Sequence, residues 1–238
     1  MTALEISDLR VHRGGVEVVH GIDLTVHAGE VTALLGANGA GKSSIVLAVA
    51  GILRDASGSI TTGGTTIRGL APNQVRRAGV ATMQEGHRVF GDISVADNLT
   101  IASLLLPRTE RAAAVNSMLD LFPEIHGFTD RPADSLSGGQ QQMLALAIAL
   151  AARPKVLVID EMSLGLAPAV VARLAPALRA VTAQGVGVLL IEQFTRVALE
   201  LATSVTVLAQ GTVTLRARAD DLRDHPDRLT AAYRLTER

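Results

Sequence analysis

Two spacings of hydrophobic residues alternate along this chain. Apolar and polar residues alternate through residues 4–26, with turns predicted at Gly14-Gly15 and at Gly21, which is typical of short antiparallel strands. Residues 31–35 form a short apolar run that ends at Gly36 and predicts a buried parallel strand. We expect a helix to follow that strand directly, over residues 43–50.

The middle of the chain changes to helical spacing, and strands return after it. Before this change, further β structure is predicted at 58–67 and 80–83. The helical segments of the middle part are predicted at 95–99, 104–105, 113–122 and 143–150. After them, strands are predicted at 156–159, 186–191 and 205–208, and helices at 168–183 and 195–202. Strands that alternate with helices favour a mainly parallel sheet with covering helices. We therefore predict one α/β domain made of residues 1–85 and 154–238, with a helical subdomain inserted at 86–153.

Composition narrows the classes of function. The chain has 238 residues, of which 48% are hydrophobic and 19% charged, as in ordinary globular proteins. A net charge of -1 provides no basic face for nucleic acid. Absence of cysteine and scattered histidines argue against disulfides and zinc sites. The apolar run at 143–152 is far shorter than the roughly 20 residues of a membrane span, and the first residues lack a secretory signal, so we expect a cytoplasmic location.

A phosphate-binding loop follows the strand at 31–35. Residues 36–43 match G-x-x-x-x-G-K-[ST] at every fixed position, and this loop opens a helix. Its glycines allow backbone N–H groups to surround phosphates, the lysine reaches them as a slender cation, and the Ser43 hydroxyl suits Mg²⁺. We assign nucleotide contacts to this loop and to the next serine: Gly36, Ala37, Asn38, Gly39, Ala40, Gly41, Lys42, Ser43 and Ser44.

Two acids follow the buried strand at 156–159. We expect Asp160 to hold Mg²⁺ through a coordinated water and Glu161 to be the base that activates the attacking water. Consecutive side chains of an extended strand point to opposite faces, so one acid can serve the metal and the other the nucleophile. The pair therefore predicts hydrolysis of a nucleotide.

A third motif lies in the inserted region, at Leu136-Ser137-Gly138-Gly139-Gln140. We expect a helix to begin near Gln140 and to present a second set of unpaired N–H groups to an anion. One nucleotide does not need two phosphate cradles in one chain. We therefore expect a head-to-tail dimer, in which ATP bound at one phosphate loop contacts Ser137, Gly138, Gly139 and Gln140 of the partner.

These three motifs, in this order, resemble the nucleotide-binding domain of ABC transporters over essentially the full chain. The resemblance implies a P-loop NTPase (RecA-like) core with a mainly parallel sheet, an N-terminal antiparallel β subdomain and an inserted helical subdomain. It also implies ATP and Mg²⁺ as cofactors and several further roles. Residues 163–166 correspond to the D-loop, Arg13 to the residue that stacks on adenine, and Gln193 to the switch residue, which is His in most members and acts in catalysis with Glu161 and Lys42.

The resemblance leaves one site residue and the details of function open. The Q-loop residue, which senses Mg²⁺ and the permease, is Gln84 by residue type or Glu85 by spacing. Residues 84–90, 160–168 and 192–193 resemble an ATP-binding subunit of branched-chain (hydrophobic) amino acid importers. Such a subunit works with permeases and a solute-binding protein, lies on the inner face of the cell membrane, and pairs with a copy of itself or a related subunit.

Two alternatives to this function are retained. Importers of urea and short amides carry nearly the same motifs. A nucleotide-gated clamp with weak hydrolysis would suit the unusual Gln193 and Arg13, although Glu161 argues against it. The surface around residues 87–90 and the helix from Val95 is the expected docking site for permease helices.

Overall fold

A computed structural model describes residues 1–84, 89–162 and 168–234. Its first part is a four-stranded antiparallel sheet with strand order β2-β1-β4-β5. The strands are β1 (Thr2–Arg13), β2 (Val16–His27), β4 (Ala56–Thr62) and β5 (Thr65–Thr66), while β3 (Val31–Leu35) belongs to a second sheet. Gly14-Gly15 form the predicted turn. The prediction of a turn at Gly21 is wrong, because Gly21 lies inside β2, where its φ of 74° accommodates an irregularity in the strand.

The second sheet is the centre of the molecule. Its order is β10-β9-β3-β8-β7-β6, with all neighbours parallel except the β9–β10 pair. The strands are β6 (Val80–Met83), β7 (Val156–Asp160), β8 (Gly187–Glu192), β9 (Ser204–Ala209) and β10 (Thr212–Arg218). The prediction of an α/β fold with a mainly parallel sheet and an N-terminal antiparallel β subdomain is confirmed.

Helices cover the central sheet and fill the region between β6 and β7. The first two are α1 (Lys42–Val49) and α2 (Pro72–Arg77). Between β6 and β7 lie α3 (Val95–Ala102), a 3-10 turn (Ser103–Leu105), α4 (Arg108–Leu121), α5 (Pro123–His126), a second 3-10 turn (Ala133–Ser135) and α6 (Gly138–Leu150). The last are α7 (Pro168–Ala183), α8 (Thr195–Leu201), α9 (Ala219–Asp224) and α10 (Pro226–Arg234). No helix within the described part of the chain has the length and apolar character to cross a bilayer.

The parallel strands are buried on both faces. In β7, Val156 and Val158 pack into the core shared with α1 and the antiparallel sheet. Leu157 and Ile159 pack into the core on the other side, among residues of α3 to α10. Because side chains alternate between faces, every internal position of the strand is apolar. In β7 and β8, charged side chains therefore enter only at the strand ends.

Candidate functional site

The candidate residues from four segments meet at one edge of the central sheet. Strands β3, β8, β7 and β6 are consecutive neighbours, and they are parallel, so their carboxyl ends lie at the same edge. The register aligns Leu35 with Glu192, and Ile191 with Asp160. The residues that follow these strands are Gly36, Gln193, Glu161 and Gln84. The edge of an open parallel sheet where the strands end is where such folds bind ligands.

The phosphate loop connects β3 to α1 and is closed by its own lysine. The Lys42 ammonium donates hydrogen bonds to the carbonyls of Gly36, at 2.8 Å, and Ala37, at 3.1 Å. The helical ladder of α1 begins with the Ile45 N–H, which donates to the Gly41 carbonyl. The N–H groups of Lys42, Ser43 and Ser44 precede that first bond, at the positive end of the helix. The loop thus has the form of an anion cradle.

Side-chain exposure separates the roles within this loop. Asn38, Gly39 and Ser43 are exposed, so the Ser43 hydroxyl can reach a ligand. Ala40 and Ser44 are buried, and Ser44 can contribute through its backbone. Two glycines are required by the surroundings. A Cβ at Gly36 would lie 2.4 Å from the Leu208 carbonyl oxygen, and Gly41 has a φ of 106°, which disfavours side chains.

Acidic side chains surround Lys42, which is only 4% exposed. Burial lowers the pKa of Lys42 below its ordinary value. Three carboxylates oppose this effect by raising the pKa: those of Glu161, Asp160 and Glu192. We predicted no role in the site for Glu192, because the predicted strand ended one residue before it. The structure includes it in β8 and buries it, with 1% exposure.

The geometry of the two adjacent acids differs from the prediction. Asp160 ends β7 and continues the alternation of Val156 and Val158, which places it on the face of the sheet that packs against α1. Glu161 is not extended. Its φ is 53°, and its N–H donates to the Ile191 carbonyl at 3.0 Å. The argument from an extended chain is therefore wrong, because a left-handed residue, and not strand alternation, sets the direction of Glu161.

The third motif caps a helix. Helix α6 begins at Gly138, two residues before the predicted start near Gln140, because Ser137 is its N-cap. The Ser137 hydroxyl accepts from the Gln140 N–H at 3.4 Å, and the Gln140 side-chain oxygen accepts from the Ser137 N–H at 3.0 Å. The Gln140 amide also donates to the Glu124 carbonyl. Ser137 and Gly138 are exposed at this helix end, whereas Gly139 and Gln140 are half-buried.

Two of the remaining predicted residues lie at this edge. Gln193 directly follows β8 and is exposed, and Gln84 directly follows β6 and is half-buried. Arg13 is exposed at the tip of the β1–β2 hairpin. Glu85 and residues 163–166 lie outside the described residues. The structure thus brings Gln84 and Gln193 to the same sheet edge as the phosphate loop.

Tyr233 is a residue near the loop that the sequence pattern did not reveal. It belongs to α10, which we did not predict, and its hydroxyl oxygen is buried. Burial raises the pKa of Tyr233, and hydrogen bonds with the Thr195 side chain and the Gly36 backbone act against that increase. Tyr233 thus lies near both the first residue of the phosphate loop and the helix that follows Gln193. Tyr233 is the single tyrosine of the chain, but this alone did not indicate a place near the phosphate loop.

The residues present fit a Mg-nucleotide. Mg²⁺ prefers oxygen ligands and is usually held by one or two carboxylates together with phosphates of the substrate. The Ser43 hydroxyl and the Asp160 carboxylate lie on the same side of the sheet, and Gln84 offers an amide oxygen. Among the described residues, no cluster of three or more His, Cys, Asp or Glu side chains is arranged to hold a metal without such phosphates.

Known proteins are similar to this chain in sequence and in fold. Residues 19–163 match the family described as ABC transporter. The chain is 34% identical to the high-affinity branched-chain amino acid transport ATP-binding protein BraG of Pseudomonas aeruginosa, covering 94% of this chain and 96% of that one. It is 30% identical to the probable branched-chain amino acid transport ATP-binding protein LivF of Archaeoglobus fulgidus, covering 88% and 89%. A solved ATP-binding subunit of an ABC transporter superimposes over the full length of both chains, with a TM-score of 0.86 and 25% identity.

The close approach at Gly36 leads to a prediction. We expect Gly36→Ala to lower the free energy of unfolding by about 1–3 kcal/mol, because the added methyl must displace the Leu208 carbonyl, and to weaken ATP binding by distorting the loop. Gly138→Ala is the matched control, because its Cβ would meet nothing within 4 Å. Denaturant unfolding and ATP titration of both variants provide the measurement. Equal stability of the two variants would contradict the packing argument.

Proposed function

We propose, from the premise that this chain belongs to the ABC transporter family and is an ATP-binding, ATP-hydrolysing subunit, that it drives import of branched-chain or other hydrophobic amino acids. One observation carries the assignment of its site. The carboxyl ends of four neighbouring parallel strands hold the phosphate loop, Gln193, the Asp160-Glu161 pair and Gln84. In this proposal, residues 1–85 and 154–238 form the ATP-binding core, and residues 86–153 form the helical subdomain.

The chemistry follows from the positions of the charged groups. The N–H groups at the start of α1 and the Lys42 ammonium bind the β- and γ-phosphates. Glu161 accepts a proton from the water that attacks the γ-phosphate, a type of help worth about 10² to 10⁴ in rate. Gln193 donates a hydrogen bond to the γ-phosphate but, unlike histidine, takes up no proton. Arg13 stacks on the adenine.

Phosphate binding requires Lys42 to change partners. In the structure its ammonium is held by two carbonyls of the loop, at 2.8 and 3.1 Å. An ammonium has three donors, so it can retain a loop carbonyl while it contacts phosphate. The carboxylates around it keep the lysine protonated in a buried position, and the incoming phosphates add to that effect.

Mg²⁺ completes the site when the nucleotide binds. Ser43, Asp160 and Gln84 would hold it, and it would neutralise charge on the phosphates. Asp160 suits this role because it lies on the α1 side of the sheet, where Ser43 is exposed. Glu161 is left for the water because its left-handed backbone turns it away from the continuation of β7.

The exposed start of α6 is completed by a second subunit. Ser137 and Gly138 are exposed at a helix N-terminus, and the phosphate loop of the same chain already supplies a cradle. We place Ser137, Gly138, Gly139 and Gln140 against the γ-phosphate held by a partner in a head-to-tail dimer. Gln140 acts there through the backbone and by holding Ser137, since its side chain is engaged in the cap and with Glu124.

The dimer and the role of Glu161 are tested together. We expect Glu161→Gln to abolish most ATP turnover, with a loss of at least about 10²-fold, and to trap an ATP-bound dimer, because ATP persists between the subunits. Light scattering with and without Mg-ATP measures the mass. Glu110→Gln is the control, since Glu110 is an exposed acid of α4. A monomer under both conditions would exclude the sandwich arrangement.

The proposed solute comes from the relatives. BraG and LivF are named for branched-chain amino acid transport, and both are matched over nearly their whole length. Accordingly, the subunit works at the inner face of the cell membrane with permease subunits and a solute-binding protein, paired with a copy of itself or a related ATPase. Urea or a short amide is the alternative solute.

Uptake by cells distinguishes the solutes. We expect cells that lack this subunit to lose high-affinity uptake of labelled leucine, isoleucine and valine, and the loss should be restored by the wild-type chain but not by Glu161→Gln. Urea uptake measured in the same cells serves as the control. Loss of urea uptake with normal leucine uptake would refute the amino acid assignment.

An apolar groove suits the permease contact. It has a volume of about 540 Å³ and lies between α2, the end of β6, the end of α3 and α6. Exposed apolar side chains line it, among them Ile101 (44% exposed), Leu104 (51%) and Leu105 (43%). Gln84 also lines the groove, so the same residue lies at the nucleotide edge and in the docking surface. Of the residues 87–90 that we expected to dock permease helices, Phe90 is 60% exposed but does not line this groove, and residues 87 and 88 lie outside the described residues.

Charge in the groove should weaken docking. We expect Leu104→Glu to reduce co-purification of the permeases by about ten-fold or more, because a carboxylate would be buried without a partner, and to leave ATP binding by the isolated subunit unchanged. Ile52→Glu is the matched control, since Ile52 is 50% exposed and does not line the groove. Equal loss with both variants would contradict docking at this groove.

A further inference from the structure

The C-terminal end of α6 is held by a side chain from another element. Arg76 of α2 donates to the Ala149 carbonyl at 2.8 Å and to the Ile148 carbonyl at 3.1 Å. The flanking carbonyls of α6 have backbone donors: the Ala151 N–H bonds to Ala147, and the Arg153 N–H bonds to Leu150. Arg76 therefore supplies the donors for the two carbonyls between them, which a helix end cannot satisfy internally.

The guanidinium is chemically suited to this task. A planar fork can donate two parallel hydrogen bonds to two neighbouring acceptors, whereas an ammonium acts as a point charge. A cation is also favoured at the negative end of the helix dipole. Burial lowers the pKa of Arg76, but arginine remains charged at any physiological pH. These bonds are the charge-assisted kind, formed where water competes little.

The opposite end of the same helix carries Ser137 and its cap. Helix α6 has 13 residues, about 20 Å at 1.5 Å per residue. Its middle is also attached to the core, because the Gln142 side-chain amide donates to the Met162 carbonyl at 3.2 Å. The Ser137 end is held within the inserted region, because the Gln140 and Gln141 side-chain amides donate to the Glu124 and Ala133 carbonyls. Arg76 joins the same helix to α2, so the position of the Ser137 end relative to α2 depends on this attachment.

Arg76 also forms part of the wall of the groove. The groove is lined by Arg76 and by both residues whose carbonyls it binds, Ile148 and Ala149. Arg76 precedes β6, the strand that leads to Gln84. Any segment that occupies the groove contacts the joint between α2 and α6 directly.

We propose that Arg76 is a positioning residue that sets the direction of α6, and with it the position of the Ser137 end that meets the partner's nucleotide. The inference rests on the proposed head-to-tail dimer. In this proposal Arg76 does not contact ATP. Its replacement should therefore weaken dimerisation and leave nucleotide binding by one subunit unchanged. The neighbouring Arg77 lines the same groove and is exposed, which makes it a matched control.

The test uses Arg76→Lys, which keeps the charge and loses the fork, in the Glu161→Gln background. We expect ATP-dependent dimerisation, measured by light scattering over a protein titration, to weaken by about ten-fold, since hydrogen bonds to charged groups are among the stronger ones. Affinity of the single subunit for a fluorescent ATP analogue should stay unchanged. In the active background, turnover at saturating ATP should fall. Arg77→Lys should leave all three values as they are.

The outcomes are distinguishable. If Glu161→Gln alone fails to dimerise, the dimer itself is wrong, and with it this inference. If Glu161→Gln dimerises and the double variant dimerises equally well, Arg76 does not position α6. If Arg76→Lys lowers analogue affinity as much as dimerisation, its effect is general destabilisation, and the inference is overturned. ATP-dependent dimerisation of Arg76→Gln, which keeps one amide donor group, should be weaker than with Arg76 present and stronger than that of Arg76→Met.

Discussion

Burial of the central sheet on both faces is the constraint on which the site depends. Each internal residue of β7 and β8 faces one of two apolar cores, so a charge inside these strands would have no partner within reach. Carboxylates enter only as the strands end, at Asp160 and Glu192. Because the strands are parallel and adjacent, those ends converge at the loop that carries Lys42. The same packing that excludes polar groups from the core collects them at one edge.

Lys42 depends on this arrangement in turn. A lysine with 4% exposure is costly unless its charge is compensated, and burial does lower its pKa. Three carboxylates and two loop carbonyls provide the compensation. Lys42 therefore has partners before a nucleotide arrives. Phosphates therefore compete with these partners for Lys42. The partners give the loop a defined shape, and replacing them costs some of the binding energy.

The sequence was sufficient for the central strands and the phosphate loop because both have strong local patterns. β6 was predicted at its observed bounds, and α7 likewise. Prediction failed where tertiary contacts decide. Glu161 is left-handed because its N–H bonds across to Ile191, which no local pattern encodes. Glu192 was left outside β8 because an acid seldom extends a buried strand, and here neighbouring Lys42 makes it acceptable.

Contacts made by distant segments were also invisible to the pattern. Tyr233 lies nearly 200 residues after Gly36 in the chain, and its helix α10 is short and contains few apolar residues. Arg76 is one of two adjacent arginines that the sequence cannot rank. The structure separates them, because Arg76 reaches the α6 carbonyls while Arg77 is exposed. What distinguishes a functional arginine from a solvated one here is the identity of its acceptors.

In the proposed arrangement, the two ends of α6 are linked through position and not through charge. A cation lies at the carbonyl end of the helix dipole and exposed N–H groups lie at the other end, but dipole effects fall off within one turn. Over 13 residues, about 20 Å, direct charge–charge interaction is screened beyond a Debye length of about 8 Å at physiological salt. Arg76 can therefore affect Ser137 only by fixing where the helix points. A link of this kind is insensitive to salt and sensitive to geometry. Arg76→Lys isolates the geometric effect, because it keeps the positive charge and removes the planar guanidinium.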